Sequence, residues 1–310
     1  MSAPLQSPAS VPATSPLFTA ALSNAPDWLT TPSQLAAVAI SSALGALYVI
    51  GIYLVSALFP LAEVSLHDRN HPHVIKQRIR GALLATTISL LAAASLLHSW
   101  LDQASVLGLL GLDPKRIVGS VIVSLVLVST LYLGPLVLDH LDGRLFDWEA
   151  WRRAPANLWA QPGLMRNYVV GPVTEELVYR SVVVSLWRAA GISVNRTVFL
   201  SPLIFGFAHV HHALSQYRSG SSAKAALLGM LFQVPYTTLF GWFAAAVFIR
   251  TGSVWGPVAA HIFCNVQGLP DVGRIDGYPR YRYFIWLAFV SGLVGFIVLF
   301  EPMTRKGVIV

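Results

Sequence analysis

The sequence predicts an all-α fold, a polytopic membrane helix bundle of about eight transmembrane helices around a polar cavity. Three observations carry that expectation. Hydrophobic residues make up 55% of the 310 positions and charged residues only 11%, against roughly a quarter charged in soluble domains. Apolar residues gather in runs long enough to cross a bilayer, separated by short charged breaks. The ionisable side chains inside those runs fall in three short motifs. A disordered chain is excluded, and a soluble two-domain enzyme fits poorly. The single cysteine, Cys264, rules out a disulfide framework and a cysteine-based zinc site. A net charge of +7 does not argue for nucleic acid, because membrane proteins collect Lys and Arg in the loops of one side. No internal repeat of the transporter kind is visible.

Taken in order, residues 1–33 are rich in Ser, Pro, Ala and Thr and contain no Lys or Arg. They read as a flexible tail rather than a cleaved signal peptide. Residues 34–310 read as one membrane-embedded domain, with a motif-bearing core over 171–270. Spans are expected at 34–61, 81–99, 117–138, 172–189, 197–212, 225–249, 254–268 and 283–300, since about 20 apolar residues cross the hydrocarbon layer. The segments 197–212 and 254–268 are short for a crossing and suit helices buried among others. Pro172 and Thr174 fit the start of the fourth span, where the positive end of a helix tolerates a carboxylate. Loops 62–80, 139–168, 213–224 and 269–282 hold 13 Lys and Arg, against 7 on the opposite side. The positive-inside rule therefore puts those loops in the cytosol and both termini on the far side.

Glu175 and Glu176 lie within the run from Gly171 to Arg180. An ionisable group at membrane depth is costly and marks a functional site by default. Glu176 precedes Arg180 by four residues, so the two share a helix face and read as a structural ion pair. Glu175 points about 100° away and has no such partner, which leaves either a helix-capping role or chemistry. The second motif runs from Phe205 to His209, followed by His211 and His212. In the third, His261 and Asn265 share a face at a spacing of four, which serves either hydrogen bonding between helices or function. In the topology above, the three motifs arrive in one leaflet. Helices glued independently have no reason to share that depth.

A carboxylate beside an imidazole can take a proton from water and hand it to a leaving amine. Donors opposite can hold the oxyanion of a tetrahedral intermediate. Glu175 with His209 could activate the water, and His261 with Asn265 could supply the donors. That set describes peptide-bond hydrolysis without a covalent intermediate and without a cofactor. No Gly-x-Ser-x-Gly elbow supports serine chemistry. A zinc site built from His209, His211, His212 and His261 with a Glu is the rival, although no His-Glu-x-x-His is present. A transporter with a Glu/His proton relay and a membrane scaffold without activity remain as other classes.

Glu-Glu-x-x-x-Arg at 175–180, Phe-x-x-x-His at 205–209 and His-x-x-x-Asn at 261–265 stand in the order of a known family. The flanks match as well: Gly-Pro-Val-Thr before the glutamates, Ala-His-Val-His-His around His209, and Gly-Leu-Pro after Asn265. The sequence resembles the type II CAAX prenyl endopeptidases, in their eukaryotic branch. The resemblance implies a protease of the endoplasmic reticulum membrane with its site facing the cytosol. It implies that the enzyme removes the last three residues of prenylated CAAX proteins such as Ras-like small GTPases. Carried over position by position, it gives Glu175 and His209 the water, His261 and Asn265 the oxyanion, and Glu176 and Arg180 a supporting pair. Phe205 belongs to the same motif set, and no metal is implied.

Overall fold

A computed structural model describes residues 33–60, 70–101, 105–145, 147–218 and 220–305. The expected tail over 1–33 lies outside the described residues except for Ser33, whose hydroxyl accepts from the Ala36 N–H. That bond starts helix α1 (Gln34–Leu58) by satisfying one of the orphan donors of its first turn. The buried positions of α1 are small or polar and recur every three to five residues: Ala37, Ser41, Gly45, Tyr48, Gly51 and Ser56. Leu35, Ile50, Leu54 and Leu58 point outward. An apolar outer face and a small-residue inner face are what a helix needs between lipid and other helices.

Helix α2 (Pro72–Trp100) begins nine residues before the expected span. Val74, Ile75 and Gln77 are buried while Lys76 and Arg80 are exposed, so the charged stretch continues the same amphipathic face. α1 and α2 approach most closely at Gly51 and Gly81. A Cβ at residue 81 would lie 2.0 Å from the Gly51 carbonyl oxygen, so only glycine fits. Gly81→Ala is expected to force the helices apart and destabilise the bundle by about 1–3 kcal/mol, the usual cost of overpacking. Thermal unfolding in detergent checks this, and an unchanged midpoint would mean the contact is dispensable.

The expected 117–138 span is two helices, α3 (Ile117–Leu131) and α4 (Leu133–Leu141), with the break at Tyr132. Pro135 explains it: proline cannot donate to the Leu131 carbonyl and its ring clashes there. The Tyr132 hydroxyl instead donates to the Gly268 carbonyl at 3.1 Å. Beyond α4, Asp142 accepts from Arg274 at 2.5 Å and from the Tyr278 hydroxyl, and Arg274 also reaches Asp139 at 2.9 Å. The cluster ties the end of α4 to the turn Val272–Gly277. The Tyr278 hydrogen bond, and after it Arg274, hold the Asp142 carboxyl below its ordinary value of 3.8. A lowered folded value means the tie is present above about pH 4 and is lost as pH falls through the folded value. Amide protection factors of 272–277, corrected for the intrinsic pH dependence of exchange, should therefore fall below pH 4, and Asp142→Asn should lower them at neutral pH as well. Protection factors independent of pH would contradict the tie.

Helix α5 (Trp148–Ala160) precedes a long composite helix, α6, over 162–189. Contrary to the expected start near Pro172, α6 begins at Pro162 and runs through two π turns, Arg166–Val170 and Leu177–Val182, with α-helix between and after them. The Gly171 N–H donates to the Arg166 carbonyl five residues back. That widened turn accommodates Pro172 inside the helix, where an ordinary α turn would meet the ring with a carbonyl. A Cβ on Gly171 would fall 2.8 Å from the same Arg166 oxygen. Glu175 is therefore interior to a helix and not at its start.

The chain continues through α7 (Val194–Ala208), α8 (Val210–Arg218), α9 (Ala223–Thr251), α10 (Trp255–Gln267) and α11 (Arg282–Thr304). All ten residues from Val178 to Trp187 of α6 are buried, which makes it the centre of the bundle. Three hydrogen bonds join it to α1 in antiparallel register: Trp187 Nε1 to Ser41 Oγ at 2.8 Å, Tyr179 hydroxyl to Gly45 carbonyl at 3.1 Å, and Tyr48 hydroxyl with Thr174 Oγ1 at 2.9 Å. No strand occurs among the described residues. Among the described residues, six helical runs are long and apolar enough to cross a membrane: Gln34–Leu58, Pro72–Trp100, Val106–Leu131, Val194–Arg218, Ala223–Thr251 and Pro279–Thr304. The chain is a multi-pass helical membrane protein. The other two expected spans, α6 and the 13-residue α10, are helices of a different kind, one charged and one short, and together with the end of α7 they carry the site.

Candidate active site

The α-helical stretch Gly171–Glu176 holds Glu175 and Glu176 between the two π turns. Glu176 is fully buried, and Arg180 is 1% exposed. The Arg180 guanidinium donates to Glu176 Oε1 at 3.1 Å, with its Nε 3.1 Å from Oε2. It also lies over the Phe205 ring at 4.6 Å and near the Phe240 ring at 5.6 Å. Glu176 Oε1 takes a second bond, from His261 Nδ1 at 2.8 Å. That carboxylate thus fixes the proton on Nδ1 and sets the ring of His261 in place. The other ring nitrogen, Nε2, lies 3.9 Å from Glu175 Oε2. The expected pair of Glu176 with Arg180 is therefore one side of a triad, and His261 is the member that spacing along one helix could not reveal.

His209 caps α7 and turns its Nδ1 onto the Phe205 carbonyl at 2.8 Å. A carbonyl only accepts, so the proton is on Nδ1 and Nε2 is left as an acceptor. The Phe205 ring meets that of His209 edge-on at 4.6 Å, so Phe205 supports both the imidazole and Arg180. Asn265, one turn beyond His261 on α10, donates from Nδ2 to the Asn167 carbonyl at 2.9 Å. An amide nitrogen carries two N–H groups, so a second donor remains.

Glu175, His209, His261 and Asn265 line one cavity of about 420 Å³. Three separate helices deliver them, as the shared depth of the motifs requires. His211 and His212 line it too, their rings 4.0 Å apart. His211 turns its Nδ1 onto the Ala208 carbonyl. Among the described residues, no three His, Cys, Asp or Glu side chains gather as a metal site. Sequence reasoning missed Tyr48, Arg78, Arg166 and Asn167 of the lining. Tyr48 continues the small-residue face of α1 with Ser41 and Gly45, which was a usable signal. Arg78 and Arg166 passed as loop charges, and Asn167 contributes a backbone carbonyl, for which a sequence holds no signal.

A multi-pass helical bundle enclosing a carboxylate, two imidazoles and an amide has the groups that a membrane hydrolase uses. The family model described as Type II CAAX prenyl endopeptidase Rce1-like matches residues 157–267, a stretch containing all three motifs. A protein of Arabidopsis thaliana named CAAX prenyl protease 2 is 32% identical over 289 residues, covering 87% of this chain and 89% of that one. Proteins of the same name from Caenorhabditis elegans and Homo sapiens are each 34% identical, over 270 and 249 residues. They cover 83% and 76% of this chain and 98% and 74% of their own. No solved structure matches at comparable significance. The chain belongs to the type II CAAX prenyl endopeptidase family and is a protease. The resemblance drawn from the three motifs is borne out.

Proposed function

We propose that this protein removes the last three residues from proteins prenylated on a CAAX cysteine, using water activated by Glu175 and His209. The observation that carries the reading is the shared cavity, where Glu175, His209, His261 and Asn265 converge from three helices. Glu175 takes the proton as the water oxygen attacks the scissile carbonyl carbon. His209 Nε2 accepts from the same water and orients it. The oxyanion is held by the second N–H of Asn265 and by His261, whose ring Glu176 keeps in place from Nδ1. The proton then passes to the leaving nitrogen, the C–N bond breaks, and the products are a prenylcysteine carboxylate and a free tripeptide. Donors placed for the oxyanion are each worth about 3 kcal/mol of barrier.

The wall formed by Val49, Ile52 and Ala82 suits apolar side chains of the substrate, and the prenyl chain lies between helices or against lipid. The 13-to-7 distribution of basic residues supports a cytosol-facing mouth, where prenylated proteins arise. The resemblance adds the endoplasmic reticulum membrane, Ras-like small GTPases as substrates, and a single protease domain over 34–310. Purified protein in detergent should cleave a farnesylated CAAX peptide with and without a zinc chelator. Loss of cleavage on chelation would hand the histidines to a metal. No cleavage of farnesylated or geranylgeranylated peptide by folded protein would remove the peptidase reading.

A further inference from the structure

Removing three residues from a chain end leaves that end at a fixed reach from the scissile bond, where the enzyme can hold it. The substrate's carboxylate lies three residues past the scissile bond, about 10 Å away in an extended chain. Arg78 and Arg166 are the arginines that line the cavity. Tyr48 marks the cleavage level, since its hydroxyl bonds Thr174 beside Glu175. Tyr53 lies five residues further along α1, about 7.5 Å along the axis. The Arg78 guanidinium carbon sits 5.0 Å from the Tyr53 ring centre, and that ring meets His211 edge-on at 5.5 Å. Arg78 thus stands beside Tyr53, about 1.4 helical turns along α1 from the level of Tyr48. The same wall carries Val49, Ile52 and Ile79, apolar side chains of the kind that would receive the two intervening residues.

We propose that Arg78 is a specificity-determining residue that binds the free C-terminal carboxylate of the peptide, and so sets the cut three residues from the end. The assignment rests on the peptidase reading. A guanidinium offers a planar fork that matches a carboxylate, and the Tyr53 face holds it in orientation. Arg166 serves otherwise. Its Nε donates to Asn167 Oδ1 at 2.9 Å and its carbonyl holds Gly171, which keeps it in the turn beside Asn265.

The experiment compares one farnesylated CAAX peptide with its C-terminal amide. Wild-type protein should prefer the acid by at least about tenfold in kcat/KM, as expected for a charge-assisted pair. Arg78→Gln should bring the ratio of acid to amide cleavage to about one, and the thermal midpoint of the variant shows separately that it folds. Arg78→Lys should restore part of the preference, and Arg166→Gln should keep the wild-type ratio of acid to amide. Equal cleavage of acid and amide by the wild type overturns the assignment, as does an Arg78→Gln ratio equal to wild type. If Arg78→Gln does not fold, the wild-type and Arg78→Lys ratios decide. Cleavage of neither peptide by the wild type fails the peptidase reading itself, and the assignment with it.

Discussion

Glu175→Gln is expected to leave the bundle folded and to lower kcat/KM for a farnesylated CAAX peptide by roughly 10²–10⁴-fold, the range that a positioned base supplies. Glutamine keeps the shape of the side chain and loses its basicity. The Glu175 side chain is 23% exposed toward the cavity, and its neighbour His261 Nε2 stands 3.9 Å away, beyond a hydrogen bond. Folding therefore depends little on its charge, whereas activation of water depends on it entirely. The thermal midpoint and the elution profile of the variant should match wild type. A fully active Glu175→Gln protein would falsify the assignment of the base.

Glu176→Gln and Arg180→Met should show the opposite pattern. Both groups are buried almost completely, and breaking a buried ion pair by removing one partner costs about 3–5 kcal/mol, because the other charge stays behind without compensation. Both single variants should unfold at lower temperature. The double variant should recover part of the loss, since it removes both charges together, and the coupling between them follows from the cycle. Activity should not recover with stability, because His261 Nδ1 loses the carboxylate that orients it. A double variant as unstable as the sum of the singles would mean that the pair does not hold α6.

The helical class and the residues of the site were legible for one physical reason. Charge and imidazole are expensive in an apolar run, so Glu175, Glu176, His209 and His261 stood out against their surroundings. The Glu176–Arg180 pair followed from helical spacing alone. The start of α6 did not, because Pro172 reads as a first-turn residue unless the widened turn before it is known, and a π turn leaves no simple sequence pattern. Helix α2 was placed too late because hydropathy ignores the buried face of a charged stretch. The contact between His261 and Glu176 joins positions 85 apart, and only the packing of α10 on α6 brings them together. Tyr48 was readable from the face it shares with Ser41 and Gly45, whereas Arg78 required knowing which side of α2 meets the cavity.

Helix α6 also bears on how the protein is made. It carries Glu175, Glu176, Arg180 and Arg188 within 14 residues, and on insertion scales a charge at the centre of a helix opposes entry into lipid by about 2.5–3.5 kcal/mol. Such a segment does not partition on its own as it leaves the ribosome. Its acceptor is already waiting in α1, whose Ser41, Gly45 and Tyr48 offer bonds to Trp187, Tyr179 and Thr174. Synthesis of α10 comes later and delivers His261 to Glu176. The charges are thus sheltered first and the cavity completed last, so a nascent chain that stalls before residue 261 is a membrane passenger with no assembled protease.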